Sequence, residues 1–131
     1  MAKSNGRRDL ASLNWTGRRS PPKLARYVIE IRRSRRGDAN HVLSVEMTRQ
    51  MLLAGQGNYG LGLVIGGSPE NRYFSHGGIN AGFENSLVAY QRTGEGAVVL
   101  TNAQGGQQLA DAVIRSIASV YGWPNSSSST A

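Results

Sequence analysis

Segment 59–66 constrains the fold more than any other part of the chain, because its apolar side chains recur at every second position. Of the four residues between and after these apolar side chains, three are glycine. A period of two predicts a β-strand, and the glycines would leave one face of that strand without side chains. Glycine weakens a strand, so its use indicates that another element packs closely against this backbone. Turn residues at 68–71 separate this strand from segment 73–76. Two further strands are predicted at about 83–91 and 97–102, around a short loop that contains glycine.

Helical periodicity precedes and follows the predicted sheet. A first helix is expected to begin after Ser20 and to end at Gly37, and a second is expected from a Ser44 cap to about Leu52. A last helix is predicted over 107–121. The first helix has an apolar face formed by Leu24, Tyr27, Val28 and Ile31. The last helix has an apolar stripe formed by Leu109, Val113, Ile117 and Val120 or Tyr121. The elements together predict an α+β fold, with an antiparallel sheet of about three strands or more packed with helices.

Composition excludes several classes of function. The chain has 131 residues, no cysteine and two histidines, so disulfides and cysteine-bound metals are excluded, and we expect neither a metal nor a cofactor. The sequence has no apolar run long enough to span a membrane, and its basic amino terminus is not followed by the apolar core of a signal peptide. We therefore expect a soluble, cytoplasmic chain with no membrane partner. Its 131 residues are typical of a single domain.

Charge divides the chain into unequal parts. Residues 1–36 hold eleven of the fifteen basic side chains and two acidic ones, whereas the remainder is slightly acidic. We expect residues 1–19 to be a poorly ordered basic segment, residues 20–124 to form the domain, and residues 125–131 to be a serine-rich tail. A nucleic-acid-binding module in residues 1–36 is one interpretation of the arginines. A solvated tail is the alternative, because few aromatic residues accompany them.

Several segments occur in an order that resembles one enzyme family. They are Tyr59-Gly60-Leu61-Gly62, Phe74-Ser75-His76-Gly77-Gly78, Gly82-Phe83 and Ala97-Val98-Val99-Leu100-Thr101-Asn102, followed by an amphipathic helix. This order and spacing are similar to the carboxy-terminal part of serine β-lactamases of the class C type, DD-peptidases and related esterases. The likeness covers roughly residues 20–124 and implies a partial β-lactamase or transpeptidase-like fold.

The resemblance places three motifs at the active site, namely Ser-x-x-Lys, Tyr-x-Asn or Tyr-x-Ser, and Lys-Thr-Gly or a variant such as His-x-Gly. His76 stands where the third motif has its lysine, a replacement that favours the esterase-like branches. Gly77, Gly78 and Asn80 are the implied substrate-binding positions. The backbone amide of Ile79 is the implied donor of an oxyanion hole.

The first two motifs are not found upstream in a convincing form. Ser20-Pro21-Pro22-Lys23 matches the first literally, with Ser20 as nucleophile and Lys23 as base, but a helix cap followed by proline in the first turn is the favoured explanation. One hypothesis is therefore the carboxy-terminal portion of a hydrolase, inactive alone. It would self-associate or bind a separate amino-terminal half, and would take an acyl substrate only when completed. The alternative is a minimal esterase or β-lactamase that uses Ser20 and Lys23, or Ser75 with His76.

Overall fold

The computed structural model describes residues 21–38 and 42–124 and has an α+β fold, as predicted. Three α-helices accompany a four-stranded antiparallel sheet. The elements are α1 (Pro21–Arg36), α2 (Val45–Met51), β1 (Val64–Gly66), β2 (Tyr73–Asn80), β3 (Phe83–Tyr90), β4 (Gly96–Thr101) and α3 (Gly106–Tyr121). Within the described ranges no helix is long and apolar enough to cross a membrane. The predictions for residues 1–19, Ser20 and residues 125–131 fall outside the described residues.

The first two helices have the predicted ends. Gly37, at φ +77°, follows α1, and its N–H and that of Asp38 donate to the carbonyls of Ser34 and Arg33. These are the two bonds of a Schellman motif, which glycine permits because it adopts positive φ without strain. The Ser44 side chain accepts from the Met47 amide and caps α2. Local sequence therefore determines where both helices stop or start.

The predicted strand at 59–66 is wrong over most of its length. Only Val64–Gly66 forms β1, while Tyr59 makes an isolated bridge to Val64 and the chain turns between them. Gly62 has φ +80°, which takes the backbone out of an extended path. The close approach expected at the glycines is confirmed, since a Cβ on Gly60 would lie 2.4 Å from the Met51 carbonyl oxygen.

The sheet order β1-β2-β3-β4 follows the chain order. One face, the core face, carries Phe74, Leu87 and Ala89 from β2 and β3. These side chains pack with apolar residues of α1 and of the segment around α2 and β1. The buried residues of this cluster outside β2 and β3 are Val28, Ile31, Leu52, Leu63 and Ile65. Removing this apolar surface from water is the main contribution to the stability of the layer.

Helix α3 covers the opposite face of the sheet, over β3 and β4. Its contact side is made of small residues, because Gly106 and Ala110 are the buried positions. A Cβ on Gly106 would overlap the Thr101 side chain, so glycine is needed for this approach. The predicted apolar stripe is consequently wrong as a buried face: Leu109 is 60 % exposed and Val120 is 79 % exposed. Trp123, just beyond the helix, is buried against Tyr90.

Candidate active-site strand

Segment 76–80, which contains the His-Gly-Gly that resembles the third motif, lies on a part of β2 that has a strand on only one side. β1 pairs with residues 73–75 alone, whereas β3 pairs with the whole of β2 as far as Asn80. The ladder with β1 ends at Ser75, so the outer edge of β2 at Gly77 and Ile79 is not paired with a strand of the described ranges. An edge of this kind exposes backbone donors and acceptors that a ligand or another chain can bind.

Alternation along β2 decides which backbone groups reach this open edge. Ala81 and Gly82 form a two-residue loop, so Asn80 and Phe83 are the closing pair of the β2–β3 hairpin. A closing pair of this kind exchanges hydrogen bonds, and successive residues then bond to opposite sides. Gly77 and Ile79 consequently direct their N–H and C=O groups away from β3, towards the open edge. This is the direction that the predicted oxyanion-hole role of the Ile79 amide requires.

Side chains alternate between the two faces in the same way. His76, Gly78 and Asn80 lie on the core face, opposite Leu87, Asn85 and Phe83 of β3. Gly77 and Ile79 lie on the α3 face, where the Ile79 side chain is 72 % exposed. His76, Gly78 and Asn80 therefore share the core face of β2. Ile79 reaches the open edge only through its backbone groups.

His76 is partly buried at the margin of the core. Its Nδ1 is shielded from solvent, and its neighbour across the ladder, Leu87, is fully buried. Burial lowers the pKa of His76 below its ordinary value of 6.5, because the charged imidazolium is poorly solvated there. At neutral pH the side chain is therefore a neutral imidazole, which can donate or accept a hydrogen bond but carries no charge.

The candidate nucleophiles are not assembled with His76. Ser75 and His76 are adjacent on a strand, so their side chains point to opposite faces, and Ser75 lines a groove beside α3. Lys23 is exposed on the first turn of α1, and Ser20 lies outside the described residues. Of the described residues, none forms a group of three or more histidine, aspartate or glutamate side chains that could hold a metal ion.

Glu84 is a buried polar residue of β3 that attaches α3 to the sheet. It is 7 % exposed, and its two carboxylate oxygens accept from the amides of Gly105 and Gln107, each at 2.7 Å. The carboxylate therefore caps α3 from a neighbouring strand, where its charge also favours the helix N-terminus. Asn85, the next residue, is buried on the core face across from Gly78. Both side chains are therefore buried rather than exposed on the surface of the strand.

Two surfaces around α3 are left open in the described part of the chain. A groove of about 950 Å³ runs beside the helix over β2 and β3, and Ser75, Ser86, Asp111 and Arg115 are among the residues that line it. Leu109 and Val113 do not line this groove and form a second, exposed flank of α3. β4 is the last strand of the sheet, so its outer edge is also open.

Comparisons of the chain with protein-family profiles, with curated proteins and with solved structures found no match.

Proposed function

We propose that this chain is the carboxy-terminal portion of a serine β-lactamase-like hydrolase and supplies one wall of its active site. The observation that carries the proposal is the open edge of β2 at Gly77 and Ile79. The imidazole of His76, the glycine at position 78 and the outward-facing amide of Ile79 lie along this segment of β2. In acyl transfer, an amide at such an edge stabilises the oxyanion that develops on the attacked carbonyl.

The neutral state of His76 bears on the substrate class. A lysine at this position attracts a carboxylate by charge, whereas a neutral imidazole offers only hydrogen bonding. Burial lowers the pKa of His76 and so favours the neutral form. We therefore place esters ahead of carboxylate-bearing β-lactams and D-Ala-D-Ala peptides as substrates of the completed enzyme.

The nucleophile and its base would come from outside the described residues, from a separate amino-terminal half. Two features of the fold are consistent with such a partner or with a second copy of this chain. The edge of β4 can pair with another strand, and the exposed flank of α3 at Leu109 and Val113 can pack over that strand. Self-association or assembly with the other half would bury both surfaces.

The first experiment uses the chain alone. It is incubated with a p-nitrophenyl ester, with a chromogenic cephalosporin and with a fluorophosphonate that labels activated serines. We expect no turnover above that of the Ser20→Ala and His76→Ala variants, and no labelling. Turnover that disappears in Ser20→Ala, with labelling of Ser20, would instead establish the minimal esterase that uses Ser20 and Lys23.

The second experiment supplies the proposed amino-terminal half. The sequence encoded immediately upstream of Met1 is expressed with this chain, and ester turnover is measured. We expect a Ser-x-x-Lys and a Tyr-x-Asn motif there, and turnover that falls about a hundredfold or more in His76→Ala, the scale of removing a transition-state hydrogen bond. An upstream sequence without these motifs, or turnover insensitive to His76, would contradict the proposal.

A further inference from the structure

Three arginines from separate segments converge on one cleft, at the end of β2 that lies away from Asn80. Arg35 is in the last turn of α1, Arg72 immediately precedes β2, and Arg92 follows β3. With Pro69, Glu70 and Gln91 they line an open space of about 430 Å³. We propose that this cleft, the arginine cleft, binds a phosphate group, either inorganic phosphate or the monoester of a small molecule.

Backbone carbonyls hold two of the three guanidinium groups in place. Arg35 Nη1 donates to the Gln91 carbonyl at 3.0 Å, and Arg92 Nε donates to the Glu70 carbonyl at 3.3 Å. The Gln91 amide donates to the Arg72 carbonyl at 2.8 Å and ties the walls together. A guanidinium has five N–H donors, so each bond leaves four for a ligand. The side chains of Arg35 and Arg92 are thus positioned before a ligand arrives, which reduces the entropy lost on binding.

The positive charge of the arginine cleft is largely uncompensated. In the ranges that the structure describes, the ion pairs within 4.0 Å join Arg33 and Arg36 to Asp38 and involve none of the cleft arginines. The carboxylate of Glu70 also lines the cleft and offsets one of the three positive charges. Its pKa is lowered first by its own backbone N–H, then by the Ser68 side chain, and only to a smaller extent by Arg72.

This arrangement fits a phosphate better than a carboxylate. Three cations against one anion leave an excess that a dianion neutralises and a monoanion does not. The oxygen atoms of a phosphate also accept paired N–H donors from guanidinium groups in different directions, as the converging arginines require. The cleft is open on one side and large enough to admit a small organic group attached to the phosphate. The proposal is independent of the hydrolase assignment, because the cleft shares no residue with segment 76–80.

The test is calorimetric or NMR titration of the full chain with inorganic phosphate, phenyl phosphate and benzoate. We expect saturable binding of both phosphates below about 10 mM and much weaker binding of benzoate. Arg72→Gln and Arg92→Gln should each weaken phosphate binding about tenfold, the effect of losing one charge-assisted hydrogen bond. Arg49→Gln, an exposed arginine on α2, is the matched control and should bind as the wild type does. Circular dichroism checks that each variant is folded, and Arg72→Lys should recover part of the lost affinity if folding is not the cause.

Three outcomes would overturn the proposal. The first is the absence of saturation by either phosphate. The second is equal weakening in Arg49→Gln and in the cleft variants, which would indicate unspecific attraction to a basic protein. The third comes from a parallel titration with a DNA duplex. If the chain binds the duplex more tightly than phenyl phosphate, and the cleft variants no longer bind the duplex, the cleft is a nucleic-acid contact.

Discussion

The substitution Glu84→Gln tests how α3 is attached to the sheet. The carboxylate of Glu84 accepts two amide hydrogen bonds at 2.7 Å, and a hydrogen bond to a charged group contributes about 1.5–3 kcal/mol. Glutamine keeps the shape and one acceptor but turns an NH₂ group towards the second amide. Loss of one charged bond, together with the favourable interaction with the helix N-terminus, should lower the free energy of unfolding by about 3 kcal/mol. For a chain of this size that corresponds to a fall in Tm of roughly 10–15 °C.

The measurement is urea or thermal unfolding followed by circular dichroism, at one protein concentration because association changes apparent stability. Glu46→Gln is the matched control: Glu46 is an exposed glutamate in the first turn of α2, and its loss should cost less than about 0.5 kcal/mol. If Glu84→Gln unfolds within about 0.5 kcal/mol of the wild type, the carboxylate does not anchor α3, and the reasoning from burial and bond length is wrong.

Three further predictions concern the core face, the turn after α2 and the exposed flank of α3. Burial lowers the pKa of His76 in the folded chain below the ordinary value of 6.5. As the pH falls, His76 is therefore protonated in the unfolded chain before it is protonated in the folded chain. The free energy of unfolding should accordingly decrease as the pH drops through about 6.5, and level off below the pKa of the folded chain. Unfolding curves for His76→Asn should lack this component, and an unchanged pH profile would refute it. Gly60→Ala places a Cβ 2.4 Å from the Met51 carbonyl oxygen, and should lower the free energy of unfolding by about 1–3 kcal/mol, measured by denaturant unfolding. An unchanged free energy of unfolding would mean that the backbone moves apart here at little cost. Light scattering at micromolar concentration should show an oligomer that Leu109→Glu dissociates and that Leu53→Glu, an exposed leucine outside this flank, leaves intact; a monomeric wild type would exclude self-association.

The sequence predicted those elements whose ends depend on local chemistry. Ser44 and Gly37 were identified as helix boundaries because a serine cap and a left-handed glycine act on their own neighbours. Strands β3 and β4 were predicted within one residue of their ends, since their apolar alternation and the loop between them agree. The fold class followed from these elements.

The errors arose where tertiary contacts outweigh local pattern. Alternation at 59–63 was interpreted as strand, but Gly62 adopts a positive φ and the chain turns back on Val64. In α3 the larger apolar residues were expected to be buried, yet Gly106 and Ala110 face the sheet because a close approach excludes bulk. Hydrophobic periodicity identifies a stripe but does not show that a small-residue face lies next to it.

The candidate site was foreseeable in part. The position of His76 to Asn80 on a strand followed from the motif, whereas their open edge depends on how short β1 is. The arginine cleft was not predicted, because Arg35, Arg72 and Arg92 are distant in sequence and meet only through the hairpin and α1. Charge counting had directed attention to residues 1–36, although two of the three arginines lie outside that segment.

The order of the strands has a consequence for how this chain acquires its structure. Each strand pairs with the one that follows it in the chain, so no strand must wait for a distant segment. Pairings between neighbours in sequence require little loop closure and form early and fast during folding. In a chain with this strand order, each new strand can pair during synthesis with the strand made just before it. For a proposed half of an enzyme, this means that the two halves can meet as folded bodies, with assembly rather than folding as the concentration-dependent step.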